Sequence, residues 1–266
     1  MLQNQRLEGN MSEWNPELYL KFKEQRAQPA KDLIARINLK FPERILDIGC
    51  GAGNSSKELK ERWWRAEVLG LDNSRTMIEK AISDYRDINF ILADATESIE
   101  HLGRFDIIFS NAAMQWMPNI DKLLPVFWSM LNPGGVIAMQ IPNPTDMEIQ
   151  LSIDKIAGAS KWIGFFKNFQ NGMYLHEPEY YYEILRKLSD KIDIWETNYH
   201  HIMLGHKSII DWYSSTGMKP YLKRLNQVQQ EEFAEEILTE IKTEYKLQSD
   251  GTVLFEFRRI FFMAQK

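Results

Sequence analysis

The stretch ERILDIGCGAGNSS, residues 43–56, constrains the fold more than any other segment of this chain. An apolar run reaches Asp47 and passes through Gly49, Gly51 and Gly53, and a helical pattern opens near Ser55. Glycines at such a turn let the backbone come close to a ligand, and the start of the next helix favours a negative group. A strand, a glycine turn and a helix make the first part of a β-α-β unit. The same alternation then repeats. RILDIG (44–49), EVLGLD (67–72), INFILAD (88–94), FDIIFSN (105–111) and GVIAMQIP (135–142) each read as a buried strand, with helical spacing in segments such as MIEKAISDY between them. A parallel sheet with helices on both faces follows.

Upstream, PAKDLIARI places Ala30, Leu33, Ile34 and Ile37 on one helical face, with Pro29 suited to the first turn. After Pro144 the alternation stops. Residues 145–190 read as helical or irregular, and KIDIWETNYHHIM (191–203) and TVLFEFRRIFFMA (252–264) read as late strands. Between those strands lie helical patterns in SIIDWYSSTG and EEFAEEILTEIKTEYKL, where Phe233, Ile237, Ile241 and Tyr245 recur every four residues, as in a packed core. The expected architecture is α/β: a Rossmann-like, doubly wound, seven-stranded sheet with helical insertions that form a lid. It is one domain over 1–266, with a core of about 30–143, 178–203 and 250–266. The insertions fall at about 144–177 and 206–248, and the segment 11–29 is expected over the ligand site. Insertions of this kind sit at the carboxyl ends of strands, where such sheets bind ligands.

Composition narrows the partners. The chain has 266 residues, 44% of them hydrophobic, and a net charge of −5, which gives no basic face for nucleic acid. No apolar run approaches the roughly 20 residues that span a bilayer. The first ten residues lack a signal-peptide core, and a single cysteine, Cys50, fits a reducing cytoplasm. Cys50 has no histidine near it in sequence and reads as structural.

The glycine turn admits two ligand classes. A dinucleotide site wants G-x-G-x-x-G, and the third glycine of that pattern falls on Asn54. Asp72, at the tip of the second strand, suits ribose hydroxyls in either class. G-x-G-x-G behind an acid resembles motif I of class I S-adenosylmethionine-dependent methyltransferases. ILADA, with Asp94 at the third strand tip, FDIIFSN and LNPGG follow in that family's order. The resemblance implies S-adenosyl-L-methionine as cofactor, with S-adenosyl-L-homocysteine as product. It implies cofactor contacts from Asp47, Gly49, Gly51, Gly53, Asp72, Met77, Asp94, Ala95 and Asn111. In that reading Asp94 binds the adenine amino group and Met77 packs on adenine; the plainer readings are a helix N-cap for Asp94 and a core side chain for Met77.

A narrower resemblance runs over residues 11–264. MSEWNPELYLKFKEQRAQPAKDLIARI, SNAAMQWMPN, DIWETNYHHIM with the following HKSIIDWYSSTGMKP, and FRRIF are similar to the trans-aconitate 2-methyltransferases. By this comparison Met11 is the natural start, leaving residues 1–10 as an extension. Residues 145–175 match poorly, and Arg258 and His200 stand where the resemblance requires no particular residue. The resemblance implies a small polycarboxylate substrate and a mono-methyl ester product. A carboxylic acid with a pKa near ~4 is ionised at neutral pH, so no general base is needed and no catalytic residue is expected. Carboxylates that do not react need donors, and bidentate arginine is the best of them. The acceptor-site candidates are Tyr19, Arg26, Trp116, Tyr199, His201 and Arg259, while Lys161 reads as a surface residue.

Other readings remain open: a methyltransferase for another small molecule or for a carrier-bound malonyl ester, a non-catalytic cofactor-binding module, and a nicotinamide oxidoreductase. Three of the five histidines, His200, His201 and His206, fall within seven positions. On a strand His200 and His201 point to opposite faces, so they cannot share an ion, and no metal is expected. His201 is expected beside Trp195 and Tyr199 on one face.

Overall fold

The computed structural model describes residues 22–266. Seven strands form one sheet: β1 (Arg44–Ile48), β2 (Glu67–Asp72), β3 (Asn89–Leu92), β4 (Phe105–Asn111), β5 (Leu131–Pro142), β6 (Ile192–Met203) and β7 (Val253–Gln265). Their spatial order is β3-β2-β1-β4-β5-β7-β6. The pairings β1–β2, β1–β4, β2–β3 and β4–β5 are parallel, and β7 runs antiparallel to β5, with Gln140 opposite Phe261 and Pro142 opposite Arg259. The topology reverses at β1, which carries the glycine turn, and ligands of open α/β sheets bind at such a reversal.

The chain divides into two compact units. The larger comprises Glu24–Asn143, Met173–Asn198 and Arg258–Lys266. On one face of its sheet Leu46, Ile48, Ile108, Ile137, Ile141 and Phe262 form a continuous apolar core. Strand alternation puts Asp47, Phe109, Asn111, Gln140 and Phe261 on the opposite face. Over that second face Trp195 stacks on Phe261 at 4.9 Å, and the Arg36 guanidinium lies 4.0 Å above Trp195. Arg36 ends the helix Lys23–Arg36, whose Ala30, Leu33 and Ile34 are buried as the spacing predicts.

Several element ends differ from the sequence reading. The helix expected to open at Pro29 starts six residues earlier, at Lys23, and holds Pro29 in its interior. Proline removes one backbone donor there, and burial of Phe22, Pro29 and Ala30 offsets the loss. Strand β5 begins at Leu131 because the turn around Gly134 is itself paired: Gly134 N–H donates to the Lys266 carbonyl. β3 stops at Leu92, since Ala93 N–H bonds the Asp72 carbonyl while the Asp94 side chain starts a turn.

The second unit comprises Pro144–Gly172 and Tyr199–Phe257 with described residues 22–23. Its core is helical and aromatic. The helix Gln227–Glu244 turns Phe233, Ile237 and Ile241 fully inward, the four-residue spacing noted above. The helix Glu148–Ala157 adds Ile149 and Ile153 to the same core, and Trp162 packs edge-on against Phe233 at 5.1 Å. The Trp162 indole N–H donates to Glu236 at 2.7 Å. Lys161 is a surface residue that bridges Glu232 and Glu236 at 2.8 and 2.7 Å.

Candidate cofactor and acceptor site

Asp47 is the penultimate residue of β1 and is fully buried. One carboxylate oxygen, Oδ2, accepts from the Ser55 and Ser56 hydroxyls at 2.7 and 2.6 Å; the other, Oδ1, is buried with no partner among the described residues. Loss of hydration pushes its carboxyl up to about 6, the two serines draw it back, and the Asp72 carboxylate adds to the rise. A buried acid with one unsatisfied oxygen is poised for a donor or a cation.

The turn after Asp47 is built by its glycines. Gly49 has φ +70°, and a Cβ there would stand 2.2 Å from that of Ala113, so glycine lets the loop after β4 close on the loop after β1. In that loop Ala112 holds φ 55°, a left-handed conformation unusual for alanine. Gly51, with φ +54°, faces open space: a Cβ there meets nothing within 4 Å. Its N–H donates to Asp72 Oδ2 at 2.9 Å, and Ser74 N–H donates to Asp72 Oδ1 at 2.8 Å. Asp72 thus ties the first two strand ends together, and each of its oxygens keeps a lone pair for a ribose hydroxyl. Gly53 caps the helix Asn54–Arg62, and Asn54 accepts from the Tyr85 hydroxyl at 3.1 Å. The residue that breaks the dinucleotide pattern therefore has a local structural partner.

Asp94 accepts from Thr96 N–H and hydroxyl at 2.9 and 2.7 Å and from the Asn73 amide at 3.2 Å. These donors hold its carboxyl below the ordinary carboxylate range. It caps a turn rather than an α-helix. Ala95 behind it is buried, and Met77 is half-buried near the start of the helix Arg75–Asp84, whose core residues are Ile78 and Ala81. The core reading of Met77 is therefore corrected. Asn111 closes β4 with its Oδ1 buried and unpartnered.

Five cofactor candidates, Asp47, Gly49, Gly51, Gly53 and Asp72, form one connected turn, and Asp94 joins through Asn73. The acceptor candidates are more dispersed. Arg259 is buried on β7 and Arg26 is half-buried on the helix Lys23–Arg36. Trp116 is 42% exposed in a short 3-10 helix after β4. In the second unit His201 is buried, stacked on Trp212 at 5.1 Å and on Tyr199 at 6.1 Å. Tyr19 lies outside the described residues.

The histidines serve three separate ends: His200 is exposed 3.8 Å from Glu256, His201 packs on Trp212, and His206 Nε2 meets the Tyr245 carbonyl at 2.7 Å. Alternating burial along β6 puts Trp195, Tyr199 and His201 on the less exposed side, as read from the sequence. Sequence reasoning missed Ser55 and Ser56, although NSS directly after the glycines was a usable signal, and it missed Asn73.

Known proteins match this geometry. A methyltransferase-domain family model matches residues 45–135, which span the glycine turn, Asp72, Asp94 and Asn111. Among solved structures, the YcgJ protein of Bacillus subtilis superposes with a TM-score of 0.60 at 15% identity, over 90% of this chain and 98% of its own. The phosphoethanolamine N-methyltransferase 2 of Haemonchus contortus, solved with S-adenosyl-L-methionine, gives 0.54 at 20% identity, over 89% of this chain and 52% of its own. Strand order, glycine turn and acidic strand tips define a class I S-adenosylmethionine-dependent methyltransferase. Trans-aconitate 2-methyltransferase of Escherichia coli K12 is 36% identical over 256 residues, 96% of this chain and 99% of its own, and that of Shigella flexneri matches equally. The chain belongs to the trans-aconitate 2-methyltransferase family.

Proposed function

We propose that this chain transfers a methyl group from S-adenosylmethionine to one carboxylate of trans-aconitate or a closely related small polycarboxylic acid, giving a mono-methyl ester. The observation that carries the substrate class is Arg259, only 6% exposed on β7, whose partner strand β5 pairs in turn with β4. A buried arginine on the sheet that carries the cofactor turn suits an anionic acceptor. The full-length likeness to trans-aconitate 2-methyltransferases points the same way.

The residues present fit the cofactor. The unpartnered oxygens of Asp47 and Asn111 can accept from a cationic or N–H group, Gly51 leaves room for the ligand, and Asp72 can take the ribose. Asp94, Ala95 and Met77 are assigned to the adenine end. When bound, S-adenosylmethionine supplies an electrophilic methyl on a positively charged sulfur. The protein's work is to hold a carboxylate oxygen in line with that methyl and to keep water away. No proton moves, so no general base is assigned. Arg26, Arg259, Tyr19, Trp116, Tyr199 and His201 are assigned to the acceptor, and with its one cysteine the enzyme is placed in the cytoplasm.

The test is kinetic. With trans-aconitate as acceptor, Arg259→Ala and Arg26→Ala should each raise KM at least tenfold while leaving the affinity for S-adenosylhomocysteine within threefold, by calorimetry. An unchanged KM in both variants sinks the acceptor assignment.

A further inference from the structure

Gln140 is the one polar residue of the apolar run Val136–Ile141 in β5, and it is completely buried. Among the described residues neither Nε2 nor Oε1 of its side chain has a hydrogen-bond partner. A wholly unsatisfied carboxamide is an expensive group to keep in a core, where methionine or leucine would pack without penalty. Its place in the sheet suggests what it is kept for. The register sets it beside Asn111 of β4, whose Oδ1 is also buried and unpartnered, and opposite Phe261 of β7. One step further along the same face of β7 comes Arg259, paired with Pro142. On the other side, Asp47 of β1 pairs with Phe109, two residues before Asn111 on the same face of β4. Gln140 therefore stands between the end of the sheet that fits the cofactor and the end that carries the buried cation.

We propose that Gln140 binds the reacting carboxylate of the acceptor, with its Nε2 donating to the carboxylate oxygen that does not attack. This rests on the polycarboxylate reading above and goes beyond it by separating the roles of the donors. A guanidinium that grips both oxygens of a carboxylate withdraws their charge and blunts the nucleophile; a neutral amide fixes one oxygen and leaves the other free. Arginine suits the carboxylates that stay ionised, and Gln140 suits the one that reacts. In the step itself a lone pair of the free oxygen forms the O–CH3 bond. The C–S bond breaks with its electrons going to sulfur, and the products are a neutral ester and a neutral thioether. The asymmetry also makes the product easy to release, since an ester keeps only a weak bond to an amide donor.

The test uses Gln140→Met and Gln140→Glu in the full chain. The methionine variant should melt at least about 2 °C higher than wild type without ligands, because it removes an unsatisfied buried amide. Its kcat/KM for trans-aconitate should fall about 10- to 100-fold, the weight of one hydrogen bond to a charged group, with S-adenosylhomocysteine affinity held within threefold. The glutamate variant, which sets a carboxylate against a carboxylate, should fall further. Three results overturn the inference: a kcat/KM for Gln140→Met within threefold of wild type, a matching loss of S-adenosylhomocysteine affinity, or a lower melting temperature that accounts for the lost activity. Absence of any ester from the wild-type enzyme with trans-aconitate, cis-aconitate and isocitrate removes the proposed function and this inference together. Ester from wild type with an indifferent Gln140→Met removes the inference alone.

Discussion

Two aspartates set the properties of the cofactor turn, and they do so differently. Asp72 is a bracket: it holds Gly51 N–H and Ser74 N–H and still has lone pairs for a ribose. Asp72→Ala removes both tasks, so S-adenosylmethionine affinity should drop at least tenfold by calorimetry; an unchanged affinity ends the ribose assignment. Asp47 is a buried acid whose carboxyl sits at about 6 in the folded chain against an ordinary value of 3.8. Its protonated form is favoured by folding, so its contribution to stability is complete below the ordinary value and lost as pH rises through about 6. Asp47→Asn stays neutral throughout. It should be about 2 to 3 kcal/mol more stable than wild type at pH 8, and the gap should close near pH 4. A cationic ligand favours the ionised acid, so wild-type affinity for S-adenosylmethionine should weaken about tenfold between pH 7.5 and 5, with Asp47→Asn flat. Thermal melts and titrations at both ends of the range decide this.

At the scale of elements, the sequence pattern located every strand: β1 to β5 because parallel strands leave apolar runs bounded by glycine and acid, and β6 because its residues alternate. What it could not locate was where long-range pairing extends an element. The start of β5 at Leu131 depends on the carboxyl terminus 132 residues later, where Gly134 N–H meets the carbonyl of Lys266. The helix Lys23–Arg36 runs back past the start that Pro29 signals, since burial of its apolar face outweighs one missing hydrogen bond. The helix Gln227–Glu244 carries a local signal that spacing of apolar residues alone does not reveal. Asn226 accepts from Gln229 N–H at 3.0 Å, and the Gln229 side chain accepts from Asn226 N–H at 3.0 Å. Asn226→Ala breaks this reciprocal cap and should cost about 1 kcal/mol in denaturant unfolding; no loss would show that the cap adds nothing to a helix already held by its core.

At the scale of the molecule, the cofactor half of the site was legible and the acceptor half was not. The cofactor turn is local: Asp47 to Ser56 lie within ten residues, and Asp72 and Asp94 each end a recognisable strand. The residues proposed for acceptor recognition take their meaning from register. Gln140 is one letter in an apolar run until β4 and β7 are laid beside it, and Arg259 is one arginine among many until β7 is laid against β5 and its side chain is found buried. Two units account for the chain, and among the described residues no helix is long and apolar enough to cross a membrane.

The most direct measurement is product analysis after incubation with methyl-deuterated S-adenosylmethionine and trans-aconitate. The account predicts a mono-ester that carries one intact deuterated methyl on a carboxylate oxygen, formed with one equivalent of S-adenosylhomocysteine. Cofactor binding with no labelled ester from trans-aconitate, cis-aconitate or isocitrate would contradict it.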